Sequence, residues 1–146
     1  MIKFRYAIRG DREFPIIPVT LIKEDVEIDT DALIDSGANI SVFREEIAEC
    51  LEIVIEEGQE TLLQGLGGRI VGYIHELKVR VDNEEFSCNV VFSKELTVGL
   101  NILGREGFFE HFQVIFNESA KEVGFEMKRT FFMRRFAGTW ILTGLI

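Results

Sequence analysis

The sequence predicts an all-β barrel or sandwich with one or two short helices. Three observations carry that prediction. Short β-branched or alternating runs recur along the chain, turn residues separate them, and only two stretches have helical spacing. At 146 residues the chain has one-domain length, given the ~100–200 residues usual for a domain. Its 47% hydrophobic and 28% charged residues, with 2 prolines, are a globular composition rather than a disordered one. The 13 glycines imply tight turns or backbone that must approach something closely.

The elements follow in order. Residues 16–22 (IIPVTLI) and 26–34 (VEIDTDALI) read as strands joined by a turn at Lys23-Glu24-Asp25. Val26, Ile28 and Thr30 alternate with Glu27, Asp29 and Asp31, the pattern of a half-exposed strand. Residues 43–51 suit a short helix, with Phe43, Ile47, Ala48 and Leu51 on one face and Glu45, Glu46 and Glu49 outside. Residues 61–92 read as strands around a glycine-rich tip, Gly65-Leu66-Gly67-Gly68, with a second turn at Asp82–Glu85. Leu96–Leu103 is an apolar run ending at Gly104-Arg105, and Glu106–Phe112 has room for two helical turns. Gln113–Phe116 and Glu122–Phe125 read as a closing hairpin. No repeat and no linker is visible before about residue 127, which divides the chain into a domain at 1–127 and an extension at 128–146.

Charge excludes one class of partner. The net charge is −9, and a nucleic-acid binder needs a basic footprint. The distribution is uneven. Residues 1–127 carry 12 basic and 25 acidic side chains, net −13, whereas 128–146 carry Lys128, Arg129, Arg134 and Arg135 and no acid. That tail reads as an extension packed on the domain or disordered. A membrane-surface anchor and pairing with the acidic body are less favoured readings. Cys50 and Cys88 share no metal motif, so no metal is expected, and two reduced buried thiols in a cytoplasmic protein are the simplest reading. The N-terminus has no signal-peptide core, and no run reaches the ~20 apolar residues of a membrane span.

The sharpest local feature is Asp35-Ser36-Gly37-Ala38, directly after the apolar Ala32-Leu33-Ile34. An acid at the end of an apolar strand is costly to bury unless it is hydrogen-bonded or functional. A serine hydroxyl and the bare backbone of a glycine can hold such a carboxylate. Taken alone, Asp-Ser-Gly is weak evidence, and the reading as an ordinary turn outweighs it. Three further features stand with it: the glycine tip about thirty residues on, Asn101-Ile102-Leu103-Gly104-Arg105 about seventy residues on, and after that a short helix followed by Gln113-Val114-Ile115-Phe116.

That order resembles the retropepsin-like aspartic proteases, the retroviral-type family with cellular and microbial members. The matching pieces are ALIDSGANISVF (32–43), QGLGGRIVGYIHE (64–76) and GLNILGREGFFEHFQVIF (99–116), and the resemblance spans about residues 14–126. It implies a one-lobe acid-protease barrel that works as a homodimer on an extended peptide, without a cofactor. Asp35 would be the catalytic aspartate. Two such carboxylates meet at the dimer axis and share one proton, because like charges in contact cannot both ionise. One takes a proton from the attacking water, the other hydrogen-bonds the substrate carbonyl, and the pair titrates as a unit. Activity is then expected at acidic to near-neutral pH. The resemblance further implies that Ser36 bonds across the two-fold axis and that Gly37, Ala38 and Asn39 contact substrate backbone. Gly65, Leu66, Gly67 and Gly68 would form a mobile flap tip. Ile102 and Leu103 would pack beneath the aspartates, and Gly104 and Arg105 would support the site, Arg105 by pairing with the active-site loop. Asn39 stands where many members have Asp, which removes a charge partner for Arg105. Glu106 stands where Asp often follows the arginine.

Other chemistries fit less well. No Gly-x-Ser-x-Gly frame surrounds Ser36 or Ser41, and no Lys-Ser/Thr follows the glycine tip to make a phosphate loop. His75 and His111 sit in element patterns that suit structural histidines. The alternative from another class is a non-catalytic dimerisation or peptide-binding module on the same fold.

Overall fold

Val26–Ile34 shows how the alternation places the chain. Val26, Ile28 and Thr30 turn inward by degrees and Glu27, Asp29 and Asp31 face water, until the strand submerges at Ala32 and Ile34. The computed structural model describes residues 1–65, 67–128 and 131–144, the two strands of the last segment by backbone alone. The strands are β1 (Ile2–Arg5), β2 (Ala7–Arg9), β3 (Arg12–Phe14), β4 (Ile16–Lys23), β5 (Val26–Ile34), β6 (Ser41–Arg44), β7 (Gln59–Gly65), β8 (Gly68–Val81), β9 (Glu84–Ser93), β10 (Asn101–Leu103), β11 (Phe112–Asn117), β12 (Glu122–Met127), β13 (Phe131–Phe136) and β14 (Thr139–Gly144). One regular helix, α1, spans Glu45–Cys50, and Ile47 and Ala48 are its buried face. The fold is all-β.

Seven strands form the main sheet in the order β4-β5-β10-β6-β9-β8-β7, and a β4–β8 pairing closes it on itself. That closure pairs β4 on both sides and leaves β7, bonded among the described residues to β8 alone, as the edge strand of this mixed sheet. The β4–β5 and β8–β9 hairpins turn in two residues, with Glu24 at φ 53° and Asp82 at φ 55°. Such left-handed turns match the twist of the flanking strands. Phe43, Leu21, Val79, Val90, Phe92 and Leu103 are fully buried in the barrel.

A smaller sheet, β1-β12-β11, packs beside it. Much of the abundant phenylalanine is spent on this joint. Phe108 lies 5.1 Å from Phe112, 5.6 Å from Phe125 and 6.1 Å from Phe86, centroid to centroid, in edge-on or tilted arrangements. Each fully buried ring contributes about 1.5–3 kcal/mol of transfer free energy, with a further gain from ring–ring geometry.

The structure adds to the expected elements at some places and departs from them at others. The N-terminal strands β1–β3 have no counterpart among the elements expected from the sequence, and β1 pairs antiparallel with β12. Of the apolar run Leu96–Leu103 only Asn101–Leu103 is strand. Residues 105–111 wind without forming two regular turns, because Gly107 takes φ 85° and Glu106 is extended. A Cβ at Gly107 would lie 2.5 Å from the Cys88 sulfur, so the kink lets the segment sit against β9. Cys50 is exposed and only Cys88 is buried, and both are free thiols. The tail contains an antiparallel β13–β14 hairpin. Of the residues singled out above, Leu66 and Arg129 lie outside those described. Among the described residues no helix is long and apolar enough to cross a membrane.

Candidate active site

The site begins with a topological detail. The chain leaves β5 at Ile34, loops through residues 35–40 and returns as β6, leaving a slot one strand wide. β10 fills that slot, parallel to β5 and antiparallel to β6. Asn101, Ile102 and Leu103 lie opposite Ala32, Leu33 and Ile34. The ladder then continues into the loop: the Asp35 amide donates to the Leu103 carbonyl at 3.0 Å. Asp35 is therefore set by a strand that arrives much later in the sequence.

Within the loop the carboxylate is oriented locally. The Gly37 amide donates to Asp35 Oδ1 at 2.8 Å, and the Ala38 amide donates to the Asp35 carbonyl at 3.3 Å. A Cβ on Gly37 would lie 3.1 Å from that same Oδ1, so a side chain there would push the carboxylate aside by a few tenths of an ångström. Asp35 is half-buried and Ser36 and Gly37 are exposed, which leaves the acid reachable.

The returning arm is pinned just as closely. The Arg105 amide donates to the Ala38 carbonyl and the Glu106 amide to the Asn39 carbonyl, both at 2.8 Å. Gly104 has no room for a side chain, since a Cβ would meet the Ile40 carbonyl oxygen at 2.4 Å. Its amide donates at 3.0 Å to the hydroxyl of Ser41, which is fully buried. The Arg105 side chain is exposed and forms no ion pair among the described residues. With the neutral Asn39 nearby there is no carboxylate at that position to pair with it. Leu103 is fully buried beneath the loop, whereas Ile102 lines the groove described next.

Above the loop lies a groove of about 600 Å³. Its floor includes Gly37, Ala38 and Asn39, its roof includes Gly65, Gly67 and Gly68, and one wall includes Leu96 and Val98. The roof is the β7–β8 hairpin, in which Gly65 pairs with Gly68 and Gly68 takes φ 111°. Leu62 on this hairpin also lines the groove and is 63% exposed. Both histidines lie elsewhere. His75 Nε2 donates to the Ile55 carbonyl at 2.9 Å, and His111 stacks on Phe86 at 4.8 Å.

Sequence reasoning missed Asn101. It is 2% exposed, accepts the Arg44 amide at 3.0 Å, and donates to Thr30 Oγ1 at 3.0 Å and to the Asp31 carbonyl at 2.9 Å. One side chain thereby ties β5, β6 and β10 together just before the loop. The available signal was an amide inside an otherwise apolar run.

An aspartate at the end of an inner strand, held by an Asp-Ser-Gly turn and roofed by a glycine-tipped hairpin, defines the lobe of an acid protease. Residues 14–116 match the family described as "Aspartyl protease", and the chain belongs to that family. Among solved structures it is similar to EIAV protease complexed with the inhibitor HBY-793. The identity is 18%, the TM-score 0.50, and the match covers 68% of this chain and 88% of that one. The fold is that of the retropepsin-like aspartic proteases. A comparison with curated proteins returns no match.

Proposed function

We propose that the protein is an endopeptidase that hydrolyses extended peptides through a water activated by two Asp35 carboxylates, one from each subunit of a homodimer. The observation that carries this reading is the Asp35 carboxylate, half-buried and held by the Gly37 amide at 2.8 Å beneath a roofed groove. One chain supplies one such aspartate, so the monomer would hold half of the catalytic pair. In the dimer one carboxylate removes a proton from water as it attacks the peptide carbonyl. The other donates a hydrogen bond to the developing oxyanion. Ser36, exposed beside Asp35, would bond across the two-fold axis. The Gly37–Asn39 backbone and the Gly65–Gly68 tip would hold substrate main chain. Gly104 and Leu103 would support the loop, and Arg105 would act at the subunit seam.

Pairing is supported by the small sheet, which ends at β11 with Ile115 and Phe116 still 42% and 41% exposed. An uncharged strand edge of this kind invites a second strand. On this reading residues 1–127 are the protease lobe and 128–146 an extension to it.

The test is Asp35→Asn, assayed on an unbiased peptide library alongside sedimentation. Cleavage should fall by roughly a thousandfold or more, as expected when acid–base catalysis is removed, and the dimer should persist. Equal cleavage by the variant would end the protease reading. A wild-type dimer that binds peptides without cutting any would favour a peptide-binding module instead.

A further inference from the structure

β8 pairs with β9 as far as Tyr73 and Phe92, and beyond that point the two strands part. β8 continues alone with β7 into the roof of the groove, while β9 ends at Ser93 and turns into the wall that carries Leu96 and Val98. The next inward-facing backbone pair on β8 belongs to Val71, whose amide and carbonyl would be orphaned there. Two side chains from the other strand take over. The Val71 amide donates to Glu95 Oε2 at 2.7 Å, and the Ser93 hydroxyl donates to the Val71 carbonyl at 2.5 Å. The Glu95 amide in turn donates to Ser93 Oγ at 3.2 Å, which locks the two residues to each other. The ladder is thus extended by one rung made of side chains. Next to it Gly72 has no space for a side chain, since a Cβ would lie 2.4 Å from Val91.

We propose that Glu95 and Ser93 are the hinge clamp of the roof hairpin, and that Glu95 is a positioning residue coupling the roof to the groove wall. This assignment rests on the protease reading for its effect on turnover, but not for its effect on the hairpin itself. A main-chain rung would fix the hairpin as firmly as the rest of the barrel. A carboxylate on an exposed turn can release and rebind, so the pivot sits at Val71. Residues 62–65 and 67–71 then swing as one arm when it opens. Because Glu95 belongs to the wall, a peptide pressing on Leu96 or Val98 bears directly on the clamp.

Amide exchange at Val71 tests the clamp without reference to catalysis. In Glu95→Ala, Val71 should exchange about tenfold faster, the effect of losing one charge-assisted hydrogen bond. Val79, inside the β8–β9 ladder, should be unchanged. Glu95→Gln keeps an acceptor and should restore part of the protection, and Ser93→Ala should raise Val71 exchange by a smaller factor. With a cleavable peptide, Glu95→Ala should raise KM several-fold more than it lowers kcat, and Glu95→Gln should recover part of the loss. Unchanged Val71 exchange in folded Glu95→Ala overturns the clamp, whatever the activity. Altered exchange with no hydrolysis by any form would sustain the clamp and overturn the protease reading.

Discussion

The amide of Gly104 donates to the hydroxyl of Ser41 at 3.0 Å, and that hydroxyl is wholly shielded from solvent. The Cys88 thiol donates to the same oxygen at 3.8 Å. Ser41→Ala removes the acceptor and strands a buried backbone donor. The expected loss is about 1–3 kcal/mol of folding stability, read from the urea midpoint. An unchanged midpoint would mean that the Gly104 amide has another partner.

Asn101 carries a heavier load for its size, with three hydrogen bonds to two strands. Asn101→Leu preserves volume but orphans the Arg44 amide and removes both donated bonds. A destabilisation of about 2–4 kcal/mol is expected. Asn101→Asp should be worse, because it turns a donor toward the Asp31 carbonyl into a second acceptor. If the aspartate substitution proves the milder of the two, the assigned amide orientation is wrong.

How far the sequence alone reaches is clearest at these residues. Asp35–Ala38, the β5 alternation and the glycine tip are legible because their meaning is local: period, turn chemistry, a charge after an apolar run. Asn101 is not, since its partners lie 57, 70 and 71 residues away and only the pairing of β10 with β6 and β5 brings them close. The Ser93–Glu95 rung is hidden for a related reason, as it exists only where two strands diverge. The irregular winding after Gly104 follows from Cys88 beneath Gly107, a contact between distant segments.

His111 gives the fold a pH dependence. Its Nε2 is buried without a hydrogen-bond partner, and burial holds the imidazole below its ordinary 6.5, with the charge of Glu84 partly opposing. A depressed value in the folded state means that the unfolded chain binds the proton more readily. The contribution to stability is therefore complete above about pH 6.5 and declines as pH falls through the folded value. His111→Phe, which keeps the stacking on Phe86, should flatten the change in urea midpoint between pH 8 and pH 5. An identical slope in both proteins would remove His111 as its source.

The two thiols should separate cleanly under alkylation. Cys50 is exposed, whereas burial pushes the Cys88 thiol up to about 11. At pH 8 only about one Cys88 in a thousand is thiolate, the form that reacts. Iodoacetamide on the folded protein should modify Cys50 alone, followed by Cys88 once denaturant is added. Rapid double labelling of native protein would show that the β9 region opens readily.

The strand that fills the slot beside β5 has a consequence in time as well as in space. The bonds that set the aspartate loop span 63 and 70 residues of chain, whereas the β7–β8 and β8–β9 hairpins close over a few. Contacts between distant segments carry the larger loop-closure entropy and form late. A nascent chain can complete the meander that will roof the groove before residues 101–105 have emerged to shape its floor. The Asp35 carboxylate then takes its final position only near the end of folding.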